Sequence, residues 1–396
     1  MPRVLQIINR YNLGGPIYNA VYLTKYLSPE FESMLVGGLK DPTEEGSDFI
    51  ARQMGIDPVI IPEMRREINP TKDIIAYHKL KRIIQRFKPD IIHTHASKAG
   101  LLGRLAASNS KTPAIVHTFH GHVFHSYYKS YKSKIFVNIE RSLARRTNKI
   151  IAISEKQKDE LVNDFRIAGS QKVDIVPNGF DLDKFRVNME QKRREFRKRY
   201  LLDNDEIAIG IIGRLVPVKN HSLFLQAIKY VKEKSRKKIR AFIIGDGECK
   251  ESIENEIKHL NLDYIHLNHN NNRKALVSFT SWIKNIDTAY PGLDLVALSS
   301  LNEGTPVCLI EAQACNIPIV TTNVGGIENI VIPDKTALIC NGNGNGAFEF
   351  KEKMLRLVSS DELRMQLSKD GWNFVKERFH YKRLVEDMRK LYHNLL

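Results

Sequence analysis

The sequence predicts an α/β fold with two doubly wound domains. Short apolar runs rich in β-branched residues alternate with longer amphipathic runs, and this alternation occurs in two successive series. Strands and helices in alternation indicate parallel sheets covered by helices on both faces. A length of 396 residues exceeds what one hydrophobic core of ordinary size supports, so the two series are best explained as two domains.

The individual elements follow from these runs. The first series predicts strands over residues 4–9, 34–39, 58–61, 90–95, 114–118, 149–154 and 173–177, and helices over 17–27, 71–87, 98–108 and 155–165. The second series predicts strands over 207–212, 240–245, 276–282, 294–299, 318–322 and 336–340. A Pro-Asn-Gly turn at 177–179 places the joint between the series, which gives an N-terminal domain of residues 1–182 and a C-terminal domain of 183–379.

Two further segments lie outside the alternation. Apolar residues at helical spacing over 381–395 predict a final helix that docks on an apolar surface. The polar tract 268–273 predicts a surface loop, to which we assign no function.

Composition indicates a cytoplasmic protein. The sequence starts without the pattern of a signal peptide, and no run reaches eighteen apolar residues, so we expect no membrane-spanning segment. The four cysteines lack paired spacing, which argues against a zinc site and a disulfide framework.

The net charge of +16 is concentrated in basic runs and leaves two explanations open. Such runs are commonly the solvated faces of helices. The amphipathic helix predicted over 132–147, with Ile135, Phe136, Ile139 and Leu143 at helical spacing, also suits an anionic membrane surface. Nucleic acid would require aromatic residues interleaved with the basic ones, and only residues 127–136 faintly show this, so we expect no nucleic-acid partner.

Two carboxylates eight positions apart are the most informative feature. Glu303 follows a predicted strand, and Glu311 lies about two turns below the loop that carries Glu303, inside a helix predicted over 307–316. The start of such a helix offers unpaired N–H groups that suit phosphate, whereas neighbouring carboxylates suit hydroxyl groups. Phosphate together with a polyol indicates a nucleotide sugar.

Two loops supply candidate phosphate groups. Arg214 and Lys219 follow the first strand of the second domain, where open α/β sheets bind ligands, and their charges suit a diphosphate. Gly14 and Gly15 follow the first strand of the chain and precede a helix, so their backbone can approach an anion. An ordinary tight turn and solvent-facing loop cations are the alternatives at these two places.

Histidines cluster after the fifth predicted strand. His120 lies at the end of that strand, among four histidines between residues 117 and 125. Neither helical spacing nor nearby carboxylates accompany them, so we expect no metal and predict that His120 forms hydrogen bonds to a sugar. His93 and His95 alternate along another strand and are expected either to be structural or to support residues that contact the ligand.

Taken together, these motifs resemble the retaining GT-B glycosyltransferases of family GT4, of the bacterial capsule and O-antigen type. The matching motifs, in order over nearly the whole chain, are Gly14-Gly15, His93-Thr94-His95 with Lys98-Ala99-Gly100, His117-Thr118-Phe119-His120-Gly121, Val176-Pro177-Asn178-Gly179-Phe180-Asp181, Gly213-Arg214 with Lys219-Asn220, and Glu303 with Glu311. The resemblance implies two Rossmann-like domains, with the donor in an inter-domain cleft and bound mainly by the C-terminal one. It further implies an acceptor side on the N-terminal domain, onto which a return helix at 380–396 crosses back.

The resemblance also implies residue roles. Glu311 would accept hydrogen bonds from the ribose, Glu303 would bind hydroxyls of the transferred sugar, and His120 would face that sugar near the reacting centre. The implied donor-binding residues are Gly14, Gly15, Arg214, Lys219, Ile283, Gly304, Thr305, Val307, Cys308 and Glu311. One departure from the family pattern is Asn316, where the family usually has glycine; asparagine also tolerates left-handed backbone at a helix end.

The expected activity is transfer of a hexose or N-acetylhexosamine from a nucleotide sugar, UDP-linked, to a lipid-linked or cell-surface polysaccharide. The family's chemistry implies retention of configuration without a metal or other cofactor. A basic face would hold the protein at the inner leaflet of the plasma membrane. The alternatives are a GT-B nucleotide-sugar epimerase, a GDP-mannose-dependent transferase, and a binding module without turnover.

Overall fold

The computed structural model describes residues 1–11, 15–40, 46–65, 67–110, 114–120, 130–267, 273–341 and 345–396, with backbone alone at 130–133. Gly14, the polar tract from 268 to 272 and two of the four clustered histidines therefore lie outside the described residues. The chain divides into two compact units: Met1–Phe180 with Arg378–Leu396, and Asp181–Glu377. Each unit is built around one parallel sheet.

The first unit contains a seven-stranded sheet with the order β3-β2-β1-β4-β5-β6-β7. Its strands are β1 (Arg3–Arg10), β2 (Glu32–Gly38), β3 (Val59–Ile61), β4 (Ile91–His95), β5 (Ala114–Thr118), β6 (Lys149–Ala152) and β7 (Val173–Ile175). Every pairing is parallel, as the alternation of strands and helices predicted.

Helices connect these strands. They are α1 (Gly15–Tyr26), α2 (Asp48–Gln53), α3 (Pro70–Phe87), α4 (Ser97–Ser108), α5 (Ser130–Arg145) and α6 (Glu155–Asp159). The single helix predicted over 155–165 is wrong in one respect, because α6 continues as a π-helical turn, Glu160–Asp164. A shift from α to π spacing leaves the apolar periodicity almost unchanged, so the sequence pattern did not reveal it.

Helix α5 contributes one face to the core. Its buried residues are Val137, Glu140, Leu143 and Ala144. Glu140 accepts a hydrogen bond at 2.6 Å from the fully buried Arg104 of α4, which compensates the charge placed inside. Leu143 therefore belongs to the core, whereas Ile135 of the same predicted apolar stripe is 55% exposed.

The second unit also contains a seven-stranded sheet, with the order β10-β11-β9-β8-β12-β13-β14. Its strands are β8 (Glu206–Ile212), β9 (Lys238–Ile244), β10 (Tyr264–His266), β11 (Val277–Ser281), β12 (Leu295–Leu298), β13 (Ile319–Thr322) and β14 (Ala337–Cys340). The sequence reading missed β10. This edge strand has three residues, none of them fully buried, so it has no apolar run to reveal it.

The helices numbered from the start of the second unit to the end of the chain are α7 (Met189–Arg199), α8 (His221–Lys234), α9 (Lys250–His259), α10 (Val307–Ala314), α11 (Gly346–Ser359), α12 (Asp361–Leu367), α13 (Gly371–Phe379) and α14 (Tyr381–His393). After α10 the chain turns at Asn316, whose φ of +56° is the left-handed conformation expected there. The Asn316 side chain also accepts a hydrogen bond at 2.8 Å from the backbone of Trp372.

Helix α14 packs on the sheet of the first unit. It buries Leu384, Val385, Met388, Leu391 and Tyr392, which form one core with residues of β1, β4 and β5. Among the described helices, none combines the length and apolar character needed to cross a bilayer.

In each sheet the strand order reverses at a switch point, with the earlier strands of the unit on one side and the later strands on the other. In the second sheet β11 also lies between β9 and β10. In the first unit the reversal lies between β1 and β4, and in the second it lies between β8 and β12. Open α/β sheets bind ligands at the carboxyl ends of the strands that flank such a reversal. The loops that follow these strands are therefore the places to look for a site in each unit.

Candidate functional site

In the second unit, the loops after β8 and β12 are held together by hydrogen bonds. The Ser299 hydroxyl lies 3.0 Å from the carbonyl oxygen of Lys219 and 2.9 Å from that of Asn220. The backbone N–H of Leu301 donates to the carbonyl of Val218 at 2.8 Å. These contacts fix the position of Lys219 relative to the loop that carries Glu303.

Lys219 and Glu303 form an ion pair. The ammonium nitrogen lies 2.6 Å from Glu303 Oε1, and the Ser300 hydroxyl donates to the same oxygen at 2.6 Å. The two side chains are only 17% and 10% exposed. Glu303 Oε2 has no partner among the described residues, so this oxygen can accept a hydrogen bond from a ligand.

The surroundings of Lys219 keep its ammonium group protonated. Burial alone would lower its pKa, but the neighbouring Cys308 sulfur and the Glu303 carboxylate outweigh burial and raise it. Burial also raises the pKa of the Cys308 thiol to about 12, which keeps the sulfur neutral at pH 7. The carboxylate is therefore the group that stabilises the ammonium at neutral pH.

Glycines hold the backbone of this site. Gly325 has a φ of +59°, and a Cβ there would lie 1.7 Å from the carbonyl oxygen of Glu303. The N–H of Gly326 donates to that same carbonyl at 3.0 Å. On the other loop, a Cβ at Gly245 would lie 1.9 Å from the carbonyl oxygen of Gly213. Only glycine fits at positions 325 and 245, so the backbone beside both loops is tightly specified.

Arg214 and the start of α10 are open to a ligand. Arg214 is exposed and forms no ion pair within the described part of the chain. A Cβ at Gly304 would have no neighbour within 4 Å among the described atoms, so space adjoins this backbone. Thr305 follows, and α10 begins at Val307 with its first N–H groups outside the helical hydrogen-bond ladder.

The Glu311 carboxylate contacts a different group from the one that Glu303 contacts. Its Oε2 lies 2.8 Å from the hydroxyl of the buried Tyr290, and that hydroxyl also lies 3.0 Å from the carbonyl oxygen of Cys308. Burial raises the pKa of Glu311 to about 7, although the Tyr290 hydrogen bond and the charge of Lys184 oppose the increase. Oε1 has no partner among the described residues and can accept from a ligand.

Ile283 is partly exposed and follows β11, whose last residue, Ser281, accepts from the N–H of Gly245 at 3.1 Å. The predicted residues of the second unit thus lie on neighbouring loops at one edge of its sheet, except Val307, Cys308 and Glu311, which belong to α10. The structure contains no ligand, so the role of each residue in donor binding stays a prediction.

In the first unit, His120 belongs to a connected series of polar side chains. Its Nε2 lies 2.9 Å from His95 Nδ1, and its Nδ1 lies 3.2 Å from Asn178 Oδ1. His95 is buried whereas His120 is partly exposed. Both nitrogens of His120 therefore have protein partners, and a sugar hydroxyl would have to compete with Asn178 for Nδ1.

The series continues into the interior. His95 Nε2 lies 2.8 Å from Gln6 Oε1, and Gln6 Nε2 donates to the Tyr392 hydroxyl at 3.0 Å. The same hydroxyl lies 2.6 Å from His93 Nδ1, and His93 Nε2 lies 2.7 Å from the Thr118 hydroxyl. Burial lowers the pKa of His93 to about 3, so this ring is neutral.

Gly15, the described half of the glycine pair, opens α1 in the first unit. Its carbonyl accepts a hydrogen bond from Asn19 at 2.9 Å, and Asn19 Oδ1 accepts at 2.8 Å from the backbone of Gly179. The Gly15 turn is therefore tied to the Pro-Asn-Gly turn that precedes the end of the first unit.

Sequence reasoning missed Tyr290, Ser300 and Gly325 as members of the site in the second unit. Only the fold brings Tyr290 to Glu311, and no local pattern indicates that contact. Gly325-Gly326 did carry a signal, because a glycine pair after a strand is the same pattern that we noted at residues 14 and 15. No group of three metal-ligating side chains occurs in the part of the chain that the structure describes.

Two family models match the chain. The glycosyl transferases group 1 model matches residues 192–374, and the glycosyltransferase family 4 model matches residues 20–184. The two matches lie side by side, and each falls mostly within one of the two units.

Individual proteins and solved structures that resemble this chain agree with the two family-model matches. An Escherichia coli UDP-Gal:alpha-D-GlcNAc-diphosphoundecaprenol alpha-1,3-galactosyltransferase is 28% identical over 334 residues, which are 84% of this chain and 82% of the relative. The capsular polysaccharide biosynthesis glycosyltransferase CapM of Staphylococcus aureus is 26% identical over 342 residues, covering 85% of each chain. The structure of Anabaena Alr3699/HepE with UDP-glucose superposes over 100% of both chains with a TM-score of 0.79 at 17% identity, which supports the fold alone.

Proposed function

The chain belongs to the family 4 type of glycosyltransferases with the GT-B fold, and on that premise we propose a specific reaction. The protein transfers a hexose or N-acetylhexosamine from a nucleotide sugar, UDP-linked, to a lipid-linked or cell-surface polysaccharide, with retention of configuration. The observation that carries this proposal is the Lys219–Glu303 pair at the strand-order reversal of the second sheet, with Glu303 Oε2 left open.

Different groups of the protein bind the sugar, the ribose, the phosphates and the base of the donor. Glu303 Oε2 accepts from a hydroxyl of the transferred sugar, and Glu311 accepts from the ribose. The backbone from Gly304 to Cys308 and the loop at Gly15 lie along phosphate and sugar oxygens. Space beside Gly304 and the N–H groups at the start of α10 support this part of the proposal. The backbone of Ile283 contacts the base.

Positive charge beside the diphosphate promotes the reaction. The bond from the anomeric carbon to the diphosphate oxygen breaks while the bond to the acceptor oxygen forms on the same face. The acceptor's proton passes to the departing diphosphate, so charge and atoms balance. Lys219, Arg214 and the amino-terminal end of α10 stabilise the negative charge that develops there without a metal ion. His120 contacts the transferred sugar.

The relatives support the choice of donor and acceptor. The name of the E. coli relative specifies a UDP-linked galactose donor and a diphosphoundecaprenol-linked acceptor, and CapM belongs to capsule synthesis. We extend these classes, but not the individual sugar, to this chain. We propose that transfer to a lipid-linked acceptor occurs at the cytoplasmic face of a membrane, and a net charge of +16 favours contact with anionic headgroups there.

The test uses the purified protein with a panel of nucleotide sugars. A donor that binds the folded state raises the melting temperature, which selects the sugar. That donor is then incubated with a lipid-diphosphate-linked GlcNAc acceptor, with and without a chelator, and the anomeric configuration of the product is measured by NMR.

We expect a product of retained configuration and a rate that the chelator leaves unchanged. An inverted product or loss of activity with the chelator would contradict the mechanism. Release of an epimerised nucleotide sugar without acceptor would replace the transferase by an epimerase, and binding without turnover would leave a sugar-nucleotide binding protein. A separate sedimentation assay with anionic and neutral vesicles tests membrane contact, which we expect for anionic vesicles at low salt alone.

A further inference from the structure

A buried chain of hydrogen bonds, here called the histidine wire, links the partly exposed His120 to the last helix of the protein. Its members, in the order of their contacts, are Asn178, His120, His95, Gln6, Tyr392, His93 and Thr118. All of them lie in the first unit. The wire joins residues that are hundreds of positions apart in the sequence, and α14 contributes only the Tyr392 hydroxyl.

The protons of the wire can be counted. His95 and His120 stand in series between two amide oxygens, Gln6 Oε1 and Asn178 Oδ1, with contacts of 2.8, 2.9 and 3.2 Å. Each of these three contacts needs one hydrogen, but two neutral imidazole rings carry only two. With both amide oxygens facing the rings, the pair would have to hold a third proton and a positive charge.

Burial opposes that charge. It lowers the pKa of His95 well below the ordinary value and that of His120 to about 4, and the neighbouring histidines lower the pKa of His95 further. The Asn178 contact raises the pKa of His120 without offsetting burial. Since the pair is neutral at pH 7, one of the two amides must turn its NH₂ group toward the rings, or a ligand hydroxyl must replace it.

The contacts indicate which of the two amides, Gln6 or Asn178, changes its orientation. Gln6 is completely buried, and turning its amide would reverse every hydrogen bond from Tyr392 through His93 to Thr118. Asn178 is also buried, but it makes the longest contact of the wire, 3.2 Å, and makes it to the partly exposed His120. Turning Asn178, or inserting a hydroxyl there, changes that single contact.

We propose that Gln6 and Tyr392 are positioning residues that hold His120 with its proton on Nε2, which leaves Nδ1 free to accept a hydrogen bond from a hydroxyl of the sugar substrate. His95 couples Gln6 to His120: its Nε2–H donates to Gln6, so its Nδ1 has no hydrogen and accepts from His120 Nε2–H. The inference rests on the proposed transferase function for its effect on rate, but not for its effect on the ring nitrogens.

The direct test measures the protonation of the ring nitrogens. Nitrogen NMR of the full-length protein with ¹⁵N-labelled histidine, assigned with His120→Asn, shows which nitrogen of His120 carries hydrogen. We expect Nε2–H alone in the wild type at pH 7 and a mixture of both forms in Tyr392→Phe and Gln6→Met. Thr24→Val is the matched control, because it removes a buried hydroxyl of the same unit that bonds to the Ala20 carbonyl of its own helix.

The kinetic test separates positioning from packing. We expect kcat to fall about 10- to 100-fold in Tyr392→Phe and Gln6→Met, as when the group that orients a ligating histidine is removed, with the donor KM unchanged. Thr24→Val should keep its kcat within about twofold of the wild type, since a loss of packing alone does not alter the ring nitrogens.

Several outcomes overturn the inference. A wild-type His120 with Nδ1–H or a charged ring at pH 7 refutes it, even if neither variant folds. An unchanged His120 spectrum in a folded Tyr392→Phe also refutes it, and so does a changed spectrum with an unchanged kcat. A wild-type protein that transfers no sugar refutes the proposed function, while the nitrogen spectra decide independently whether the wire controls His120.

Discussion

Replacing Glu311 by glutamine should make the protein more stable at alkaline pH and weaken its binding of the donor. Burial raises the pKa of Glu311 from an ordinary 4.5 to about 7. A folded-state pKa above the unfolded one means that this group favours folding most below pH 4.5, and that this stability is lost as the pH rises through 7. Glutamine is uncharged at every pH, so the Glu311→Gln variant does not lose this stability as the pH rises.

The hydrogen bonds of Tyr290 show why the neutral form suits the free protein. The single hydroxyl hydrogen of Tyr290 lies within reach of both Glu311 Oε2 and the Cys308 carbonyl. A protonated Glu311 can donate to Tyr290, which then donates to Cys308, so every contact has its hydrogen. An ionised Glu311 instead accepts the hydrogen bond from Tyr290, which leaves the Cys308 carbonyl without that donor.

The size of the effect follows from the pKa difference. The rise from 4.5 to about 7 corresponds to an upper limit of about 3 kcal/mol, and partial exposure of the residue reduces this to about 1–2 kcal/mol. In a unit of this size, each kcal/mol changes the melting temperature by about 2–4 °C. The gain of Glu311→Gln over the wild type should be small at pH 5 and reach these values at pH 8.

The assay compares the melting temperatures of wild type and Glu311→Gln between pH 5 and pH 8. Glu190→Gln is the control, because it removes the same charge from a side chain that is 94% exposed in the same unit. A difference between Glu311→Gln and wild type that does not grow with pH, or that Glu190→Gln reproduces, would refute the reasoning.

Donor binding should change in the opposite direction. The ribose hydroxyls need an ionised acceptor at Glu311, so we expect wild-type affinity to fall as the pH drops below about 7. Glu311→Gln should bind the donor with an affinity lower by about 1–3 kcal/mol at pH 8 and with little pH dependence. Calorimetry measures both, and equal affinities at pH 8 would remove Glu311 from the donor site.

Four further substitutions test other parts of the site. Arg214→Gln should lower kcat/KM about tenfold or more with an unchanged melting temperature, because Arg214 is exposed; an unchanged rate would remove it from the diphosphate site. Gly325→Ala should lower the melting temperature strongly, since its Cβ would collide with the Glu303 carbonyl, whereas Gly304→Ala should melt like the wild type and bind the donor less tightly. Tyr290→Phe removes a hydrogen bond that lowers the pKa of its partner carboxyl, so the pH midpoint of donor binding should move upward; a downward move would contradict the assigned contact.

The sequence was sufficient to predict the fold. Strand and helix periodicity depends on local burial, and both sheets are buried under helices, so nearly every strand carried a continuous apolar run. The exceptions are elements without such a signal, namely the polar edge strand β10 and the π-helical turn after α6.

The site was predictable only in part. Glu303 and Lys219 lie on loops after strands that the sequence already located, and the topology brings the ends of those strands together. Glu311 lies in the helix that follows the Glu303 loop. The partners Ser300 and Tyr290 are ordinary polar residues whose importance comes from contacts of 2.6 and 2.8 Å. No spacing rule predicts contacts of this kind.

Tyr392 is a second example of a contact that the sequence pattern does not predict. Its spacing along α14 predicts a core residue, and its ring is indeed buried with apolar neighbours. Its hydroxyl nevertheless bonds to Gln6 and His93. A periodic pattern describes the ring of a tyrosine but is silent about its hydroxyl, which is the atom that joins α14 to the histidine wire.

Glu303 of the second unit and His120 of the first unit share one physical principle, which is that protein contacts at one polar atom of the side chain set the direction of its other polar atom. Glu303 Oε1 is bound by Lys219 and Ser300, so the carboxylate cannot rotate freely and Oε2 keeps its direction. His120 Nε2 contacts His95, which fixes the direction of Nδ1 toward Asn178, the contact that a sugar hydroxyl would replace. An acceptor that is already oriented loses little entropy when a sugar hydroxyl binds, and this advantage persists in the transition state. Removing the supporting contacts should therefore reduce the rate even where every group that touches the sugar is retained.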